Sequence, residues 1–514
     1  MQAKEGQRSS QIIKNVLMNW TAFASTLLVG FMMSPFLVGH LGDSVYGVWV
    51  LVGSLVGYLG LLDFGLTPSI VKFVAEYRAR EDQNALNRLV TGSIVVYSLM
   101  GLASLAFSFT VAFNFNSLFN SPLSYRTAAA VAILAGINLA LGFPAAVFIG
   151  VVRGYQRYDL DAMITSLMIF ARSACFVFFI LKGYGIIGLA VTTLTFDTIR
   201  LLFLVRWAFK LNPNIRIARE YFDTSQLRRL FGYSVFVFMI SCAKQMIFFT
   251  DSIVIGMFLS TSSVTAFFIA GRLVSYLRLL VEEMVGVLAP TTSELDARND
   301  LEGIKELLVI STKYMLLIAL PVSGVFFIMG DVFISLWMGP QYASSALLLT
   351  ILTAGYLINL MEMPAYTILL GRGKHSIVAW FTSAQAVANL TLSILLVKRY
   401  GLVGVALGTT IPMVASTLVV LVIYFKHYLN LNILEYLRRA VPTPLLMQIP
   451  FVFALLVIKR YGAPSSLPIF FVEIALLFVP YGVLAFALCL SREERRPFLK
   501  LAEKFGLKLS PRFS

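Results

Sequence analysis

Ionisable side chains interrupt several long apolar segments of the sequence. Lys244 and Asp251 lie seven residues apart in one of these segments, and Arg278 and Glu282 lie four residues apart in the next. At about 100° per residue in an α-helix, each spacing places both members of the pair on one face. A charge inside a membrane span is costly, so each of these groups needs a charged partner or a water-filled cavity.

The same pattern recurs at three further basic positions. Arg272 and Glu283 are eleven residues apart, which is close to three full turns of a helix. Asp197 and Arg200, at spacing three, share a face of another apolar segment. Arg172 either lines the same path or extends its long side chain toward the outer surface.

These residue types allow two kinds of binding chemistry. Basic groups in a cavity would attract an anionic substrate such as a phosphate or diphosphate headgroup; the candidates are Lys244, Arg272, Arg278, Arg200 and Arg172. Acidic groups at similar depth could bind a coupling proton or sodium ion; the candidates are Asp251, Glu282, Glu283 and Asp197. The alternative is that the charges neutralise one another as internal ion pairs and only fix helix packing. The sequence has no metal-ligand cluster and no nucleotide-binding loop, so we expect no cofactor beyond a coupling H⁺ or Na⁺.

The elements that position these charges follow from composition. The chain has 514 residues, of which 58% are hydrophobic and 13% charged, and its mean hydropathy is +0.83. Soluble domains contain about 25% charged residues, so this balance excludes a soluble multidomain enzyme. Apolar segments of about 20 residues predict fourteen membrane-spanning helices between Ile12 and Leu490. The predicted fold is therefore an all-α polytopic membrane protein.

The net charge of +15 is explained by the placement of the basic residues. Most Lys and Arg residues fall in loops that share one side of the membrane with both termini, which predicts that both termini are cytoplasmic. This topology accounts for the basic surplus without nucleic acid as a partner. Basic runs such as Arg492, Arg495 and Arg496 fit the surface of anionic membrane lipids.

An internal repeat divides the predicted spans. Residues 184–193 (YGIIGLAVTT) recur as residues 400–409 (YGLVGVALGT), and Pro144 has its counterpart in Pro364. The repeat predicts two six-helix lobes of equal orientation, related by a pseudo-two-fold axis along the membrane normal, with two extra C-terminal helices. The predicted divisions are an N-terminal tail (1–11), an N-lobe (12–207), a cytoplasmic linker (208–230), a C-lobe (231–425), helices 13 and 14 (426–490) and a basic cytoplasmic tail (491–514).

Several motifs resemble a known family. They are LGDSVYGVW at residues 41–49, LLDFGL at 61–66, TDSIVIG at 250–256, Arg153-Gly154 and Pro290. Together they are similar to the Wzx-type oligosaccharide flippases of the multidrug/oligosaccharidyl-lipid/polysaccharide exporter superfamily. The resemblance implies a bacterial inner-membrane protein that moves polyprenyl-diphosphate-linked oligosaccharide to the outer leaflet by alternating access. It also implies glycan polymerases or ligases as candidate partners.

Two other classes of protein remain to be weighed. An ion-coupled multidrug exporter of the related branch is the alternative, and it is disfavoured because a cationic path repels cationic drugs. A membrane enzyme is disfavoured because every predicted outer loop is short. We therefore expect a transporter without enzymatic activity.

Overall fold

The chain is helical throughout the part that the structure, a computed structural model, describes: residues 2–223, 235–286, 288–424, 431–490 and 495. It divides into two compact units, Met1–Ala266 and Phe267–Ser514. The predicted linker beyond residue 223 lies outside the described residues, as does the predicted C-terminal tail apart from Arg495.

Among the described residues, eight helices lie entirely within the first unit. They are α1 (Gln2–Leu41), α2 (Asp43–Leu59), α3 (Leu66–Ala79), α4 (Gln83–Leu118), α5 (Tyr125–Gly154), α6 (Tyr158–Leu181), α7 (Gly185–Leu211) and α8 (Val235–Phe258). Short 3₁₀ turns occupy Gly60–Asp63 and Arg219–Tyr221. Helix α9 (Thr261–Gly286) begins in the first unit and continues into the second.

The described part of the second unit continues with eight more helices. They are α10 (Leu288–Ala297), α11 (Leu301–Met338), α12 (Ser345–Leu360), α13 (Met363–Gly371), α14 (His375–Tyr424), α15 (Ile433–Ala440), α16 (Pro442–Tyr461) and α17 (Leu467–Leu484). A 3₁₀ turn follows α11 at Pro340–Tyr342, and a π-helical turn, Ala485–Cys489, ends the last span.

The number of spans agrees with the sequence. In the described part of the chain, 13 helical stretches are long and apolar enough to cross a membrane. One of them, His375–Ile423, is 49 residues long and contains Gly401, whose φ of 57° and ψ of −134° interrupt the helix. Since this stretch holds two helices, there are fourteen spanning segments, and the predicted all-α polytopic fold is confirmed.

The second predicted span, Val45 to Leu66, is shorter in the structure than in the sequence analysis. Helix α2 ends at Leu59, and the 3₁₀ turn after it leads into two left-handed residues, Phe64 (φ 48°) and Gly65 (φ 70°). Left-handed residues terminate helices because they cannot continue the right-handed backbone. The apolar run therefore continues past the helix end into α3.

The turns before α4 and α11 have the same geometry. Glu81 and Asn299 are left-handed, with φ of 56° and 55°. Each is followed by an aspartate, Asp82 or Asp300, whose carboxylate accepts a hydrogen bond from a backbone N–H three residues further on. An aspartate in this position caps the start of a helix. The two helices thus begin in the same way, 218 residues apart.

Two more turns recur at nearly the same spacing. Gln156 and Gly373 are left-handed, with φ of 60° and 71°, and so are Gly185 and Gly401, with φ of 52° and 57°. The internal repeat seen in the sequence is therefore also a repeat of backbone geometry. By this measure Gly373 matches Gln156.

Close helix packing in the first unit depends on small residues. A Cβ atom added to Gly47 of α2 would lie 1.7 Å from the carbonyl oxygen of Thr261, at the start of α9. A Cβ atom added to Gly53, nearly two turns further along α2, would have no other atom within 4 Å. Small residues let helix backbones approach this closely in membrane proteins.

We expect Gly47→Ala to lower the thermal midpoint of the purified protein in detergent, because the added methyl group forces α2 away from Thr261. Gly53→Ala is the matched control, and it should keep or raise the midpoint because alanine favours a helix over glycine by about 1 kcal/mol. Equal midpoints for the two variants would contradict the tight contact at Gly47.

Candidate functional site

Arg272 lies in α9 and is held by aromatic side chains. Its Nε–H donates a hydrogen bond of 3.1 Å to the Tyr276 hydroxyl. Its guanidinium lies 5.1 Å from the centre of the Tyr276 ring and 5.8 Å from that of Phe268. Among the described residues, no carboxylate lies within ion-pair distance of Arg272. The remaining N–H groups of this half-buried cation are therefore able to bind an anion.

Arg278 and Glu282 form an ion pair one turn apart on α9, at the spacing that the sequence showed. The two side chains are 17% and 30% exposed. Glu283, next along the helix, is exposed. At this position the structure shows the internal ion pair that the sequence analysis had kept as an alternative to a binding role.

Asp197 and Arg200, expected to share a face of α7, pair with a neighbouring helix instead of with each other. Asp197 accepts hydrogen bonds from Arg172 of α6 (3.3 Å) and Asn138 of α5 (2.9 Å). The spacing placed both groups on one side of their own helix. It contained no information on which side chains an adjacent helix presents, and long arginine side chains reach across the gap between packed helices.

Asp161 of α6 is the centre of a second polar layer. It accepts hydrogen bonds from Arg153 of α5 (2.9 Å) and from Arg200 of α7 (2.6 Å), and Arg200 also donates to Thr165 (3.1 Å). Asp161 is buried, so its charge is neutralised by two arginines rather than by water. The sequence analysis missed this residue because it lies only one position inside the predicted fifth span.

The pairings leave the five candidate cations in different situations. Arg172, Arg200 and Arg278 are each in ion pairs, and Arg272 is among aromatic rings. Lys244 is half-buried on α8. An ion pair satisfies a charge inside the membrane without a ligand. Three of these cations are satisfied in this way, whereas the described contacts of Arg272 are with aromatic side chains.

Helix α8, which contains Lys244 and the buried Asp251, is joined to the end of α2. The Thr250 and Tyr58 hydroxyls are hydrogen-bonded to each other, and the Gln245 side chain donates to the Gly57 carbonyl oxygen at 3.3 Å. These contacts set the rotation of α8 against α2 within the first unit.

Glu362, between α12 and α13, is a buried carboxylate that the sequence analysis missed. It accepts hydrogen bonds from the Thr417 hydroxyl (3.0 Å) and the Asn359 amide (3.3 Å), which are both neutral groups. A single acidic residue in an apolar run was the signal that could have identified it. No group of three or more His, Cys, Asp or Glu side chains in the described part could hold a metal ion.

The fold and these charged layers define a multi-pass, all-helical membrane protein whose spans contain both paired charges and an arginine among aromatic rings. The sequence pattern of the family described as "Polysaccharide biosynthesis protein" matches residues 12–296. The match covers more than half of the chain, so the protein belongs to this family. The resemblance noted in the sequence is thereby confirmed at the level of the family.

Individual relatives are more distant. The chain is 23% identical over 421 residues to a putative O-antigen transporter of Shigella flexneri, covering 81% of this chain and 98% of that protein. It is 21% identical to the probable low-salt glycan biosynthesis flippase Agl15 of Haloferax volcanii, covering 78% and 79%. Among solved structures, the lipid II flippase MurJ in an inward closed conformation aligns with a TM-score of 0.72 at 15% identity, covering 92% of this chain and 99% of MurJ.

We expect Asp161→Asn to destabilise the protein by about 1.5–3 kcal/mol, because it removes the shared counter-charge of Arg153 and Arg200 and weakens their charge-assisted hydrogen bonds. The double variant Asp161→Asn/Arg200→Gln should recover part of that loss, since it removes one of the two orphaned charges. Thermal unfolding in detergent measures both effects. Asp223→Asn is the control, because its pair with Arg88 is 3.7 Å long with the arginine side chain 51% exposed, and exposed pairs contribute about 0–1 kcal/mol. If the double variant is less stable to heat than Asp161→Asn alone, the two residues do not form one network.

Proposed function

We propose that this protein is a flippase that moves polyprenyl-diphosphate-linked oligosaccharide from the cytoplasmic to the outer leaflet by alternating access, for surface polysaccharide biosynthesis. The observation that carries the proposal is Arg272, a cation in a spanning helix that is held by aromatic rings and has no described carboxylate partner. The family membership and the relatives named as O-antigen transporter and glycan flippase support the same substrate class.

The chemistry of Arg272 fits a diphosphate headgroup. Guanidinium presents a planar fork of N–H donors that binds phosphate oxygens in pairs, and it stays charged at any physiological pH. The rings of Phe268 and Tyr276 restrict the guanidinium, so less side-chain entropy is lost on binding. They also exclude water from one face of the charge, which strengthens its attraction for an anion.

The setting of the proposed activity is the bacterial cytoplasmic (inner) membrane, with both termini in the cytoplasm. Lipid-linked oligosaccharide is the substrate and membrane lipids are the surroundings. A glycan polymerase or ligase that consumes the flipped product is a candidate partner.

We expect Arg272→Gln to lower flipping by at least about tenfold, since a hydrogen bond to a charged group contributes about 1.5–3 kcal/mol. Flipping by Arg272→Lys should lie between that of the natural protein and that of Arg272→Gln, because lysine keeps the positive charge but lacks the planar pair of N–H donors. The measurement is the sidedness of completed lipid-linked oligosaccharide, scored by glycosidase access in inverted and right-side-out vesicles. Arg298→Gln is the matched control, because Arg298 is an exposed residue paired with Glu294 beyond the spans.

A wild-type distribution of lipid-linked sugar in Arg272→Gln cells, with the variant at normal abundance, would remove Arg272 from the substrate path. An unchanged distribution in cells that lack the protein altogether, together with raised sensitivity to cationic drugs, would instead identify a multidrug exporter.

We further propose that the flippase is coupled to a cation gradient through a carboxylate in the spans. Asp197 and Glu282 are already in ion pairs with arginines, so a bound cation would have to displace an arginine there. Glu362 has only neutral hydrogen-bond donors among its described partners, so a proton or sodium ion meets no competing charge there. Asp251, buried on α8, is the second candidate.

We expect Glu362→Gln to retain folding and to lose the response of transport to an imposed gradient, because glutamine has the shape of glutamate without its charge. Uptake of a fluorescent lipid-linked sugar into proteoliposomes, measured with and without a proton or sodium gradient, tests this. Glu435→Gln, at an exposed site on α15, is the control. A full gradient response in Glu362→Gln would exclude this residue and direct the same experiment to Asp251→Asn.

A further inference from the structure

Helix α11 contains a proline in the middle of its span. Pro321 lies twenty residues into a helix of 38 residues, which is the most buried of the candidate spans that the structure describes. Proline has no backbone N–H, so the carbonyl oxygen of Leu317, four residues earlier, lacks its helical hydrogen bond. A carbonyl left without a donor in the interior of a membrane protein is costly.

Side chains of the last two spanning helices donate to this broken turn. The Tyr481 hydroxyl of α17 donates to the Leu317 carbonyl oxygen at 3.0 Å. The Gln448 amide of α16 donates to the carbonyl oxygen of Leu320, the residue before the proline, also at 3.0 Å. Both side chains are buried. The missing backbone donor is thus replaced from outside the helix.

A glycine lets the glutamine reach α11. A Cβ atom added to Gly324 would lie 2.3 Å from Nε2 of Gln448, so any larger residue at this position displaces the amide. Pro321 therefore leaves the Leu317 carbonyl without its helical donor, and Gly324, one turn further on, leaves the space through which Gln448 reaches the nearby Leu320 carbonyl.

Hydrogen bonds on both sides of the proline also join α11 to the helices α15 and α16. Tyr436 of α15 donates to the Thr312 hydroxyl at 2.9 Å. The Lys459 ammonium of α16 donates to the carboxylate of Asp331 at 2.7 Å and to the Ile328 carbonyl oxygen at 2.7 Å. At 1.5 Å per residue, the contacts from Thr312 to Asp331 span about 28 Å of α11, nearly the whole hydrocarbon thickness of about 30 Å.

We infer that the two C-terminal spanning helices, which lie outside the internal repeat, are a brace at the proline break of α11: Tyr481 supplies the donor that the Leu317 carbonyl lacks, and Gln448 adds a hydrogen bond to the nearby Leu320 carbonyl. Tyr481 and Gln448 are positioning residues in this arrangement. They act through the backbone of α11, and the second unit keeps a broken helix in its core only while these donors are present.

The test compares one substitution in two backgrounds. Tyr481→Phe removes the hydroxyl and keeps the ring, so in the otherwise natural chain it should lower both the thermal midpoint in detergent and the flipping rate. In a Pro321→Ala background the N–H of the new alanine can donate to the Leu317 carbonyl. The same Tyr481→Phe change should therefore lower the midpoint by less than a third of the decrease that it causes in the natural chain. Tyr461→Phe, at an exposed tyrosine of α16, is the control and should change nothing.

An equal loss in both backgrounds would show that Tyr481 acts through ring packing and would overturn the brace, as would no loss in the natural background. If Pro321→Ala does not accumulate in membranes, a second pair of substitutions tests the same idea. Gly324→Ala and Gln448→Met should each lower the midpoint, and the double variant should lose no more than the worse single variant, because both changes break one contact. Additive losses would contradict the proposal. The midpoint comparisons do not depend on which substrate the protein carries, so they can fail or succeed independently of the proposed function.

Discussion

The hydrocarbon layer contains no water to hydrogen-bond with peptide groups or to solvate charges, so each must be satisfied within the protein. This constraint explains why the described spans are helical and why charged side chains within them are paired. Asp161 is matched by two arginines and Asp197 by an arginine and an amide. It also explains why the turn of α11 that lacks the N–H of Pro321 is contacted by a tyrosine and a glutamine.

The part of the fold that depends on composition could be predicted from the sequence. The number of spanning segments follows from counting apolar runs, because a span has a minimum length that the bilayer sets. The end of α2 could not be found in this way, because it depends on the left-handed residues Phe64 and Gly65 inside a continuous apolar run. The lobe boundaries inferred from the repeat stay a prediction, although the repeated turns at Glu81 and Asn299 support two related halves.

The candidate site was harder to predict than the fold, for a physical reason. Spacing along one helix shows which residues share a face, and this was enough for Arg278 with Glu282. It does not show what a neighbouring helix presents to that face. Arg200 therefore pairs with Asp161 on α6 rather than with the aspartate three residues before it. Glu362 was missed in the sequence for the same reason, since its hydrogen-bond donor Thr417 is 55 residues away in the chain.

The distinction between paired and unpaired charges bears directly on how such a protein could carry an anion. An arginine fixed in an ion pair must break that pair before it can bind a substrate phosphate, so the cost of separating the pair reduces its net affinity. An arginine packed on aromatic rings has already lost part of its hydration and gives up no ionic partner on binding. Arg272 is in the second state, whereas Arg172, Arg200 and Arg278 are in the first. The pairs of Arg172 and Arg200 join α6 to α7, and an anion that bound at Arg272 would leave these ion pairs intact.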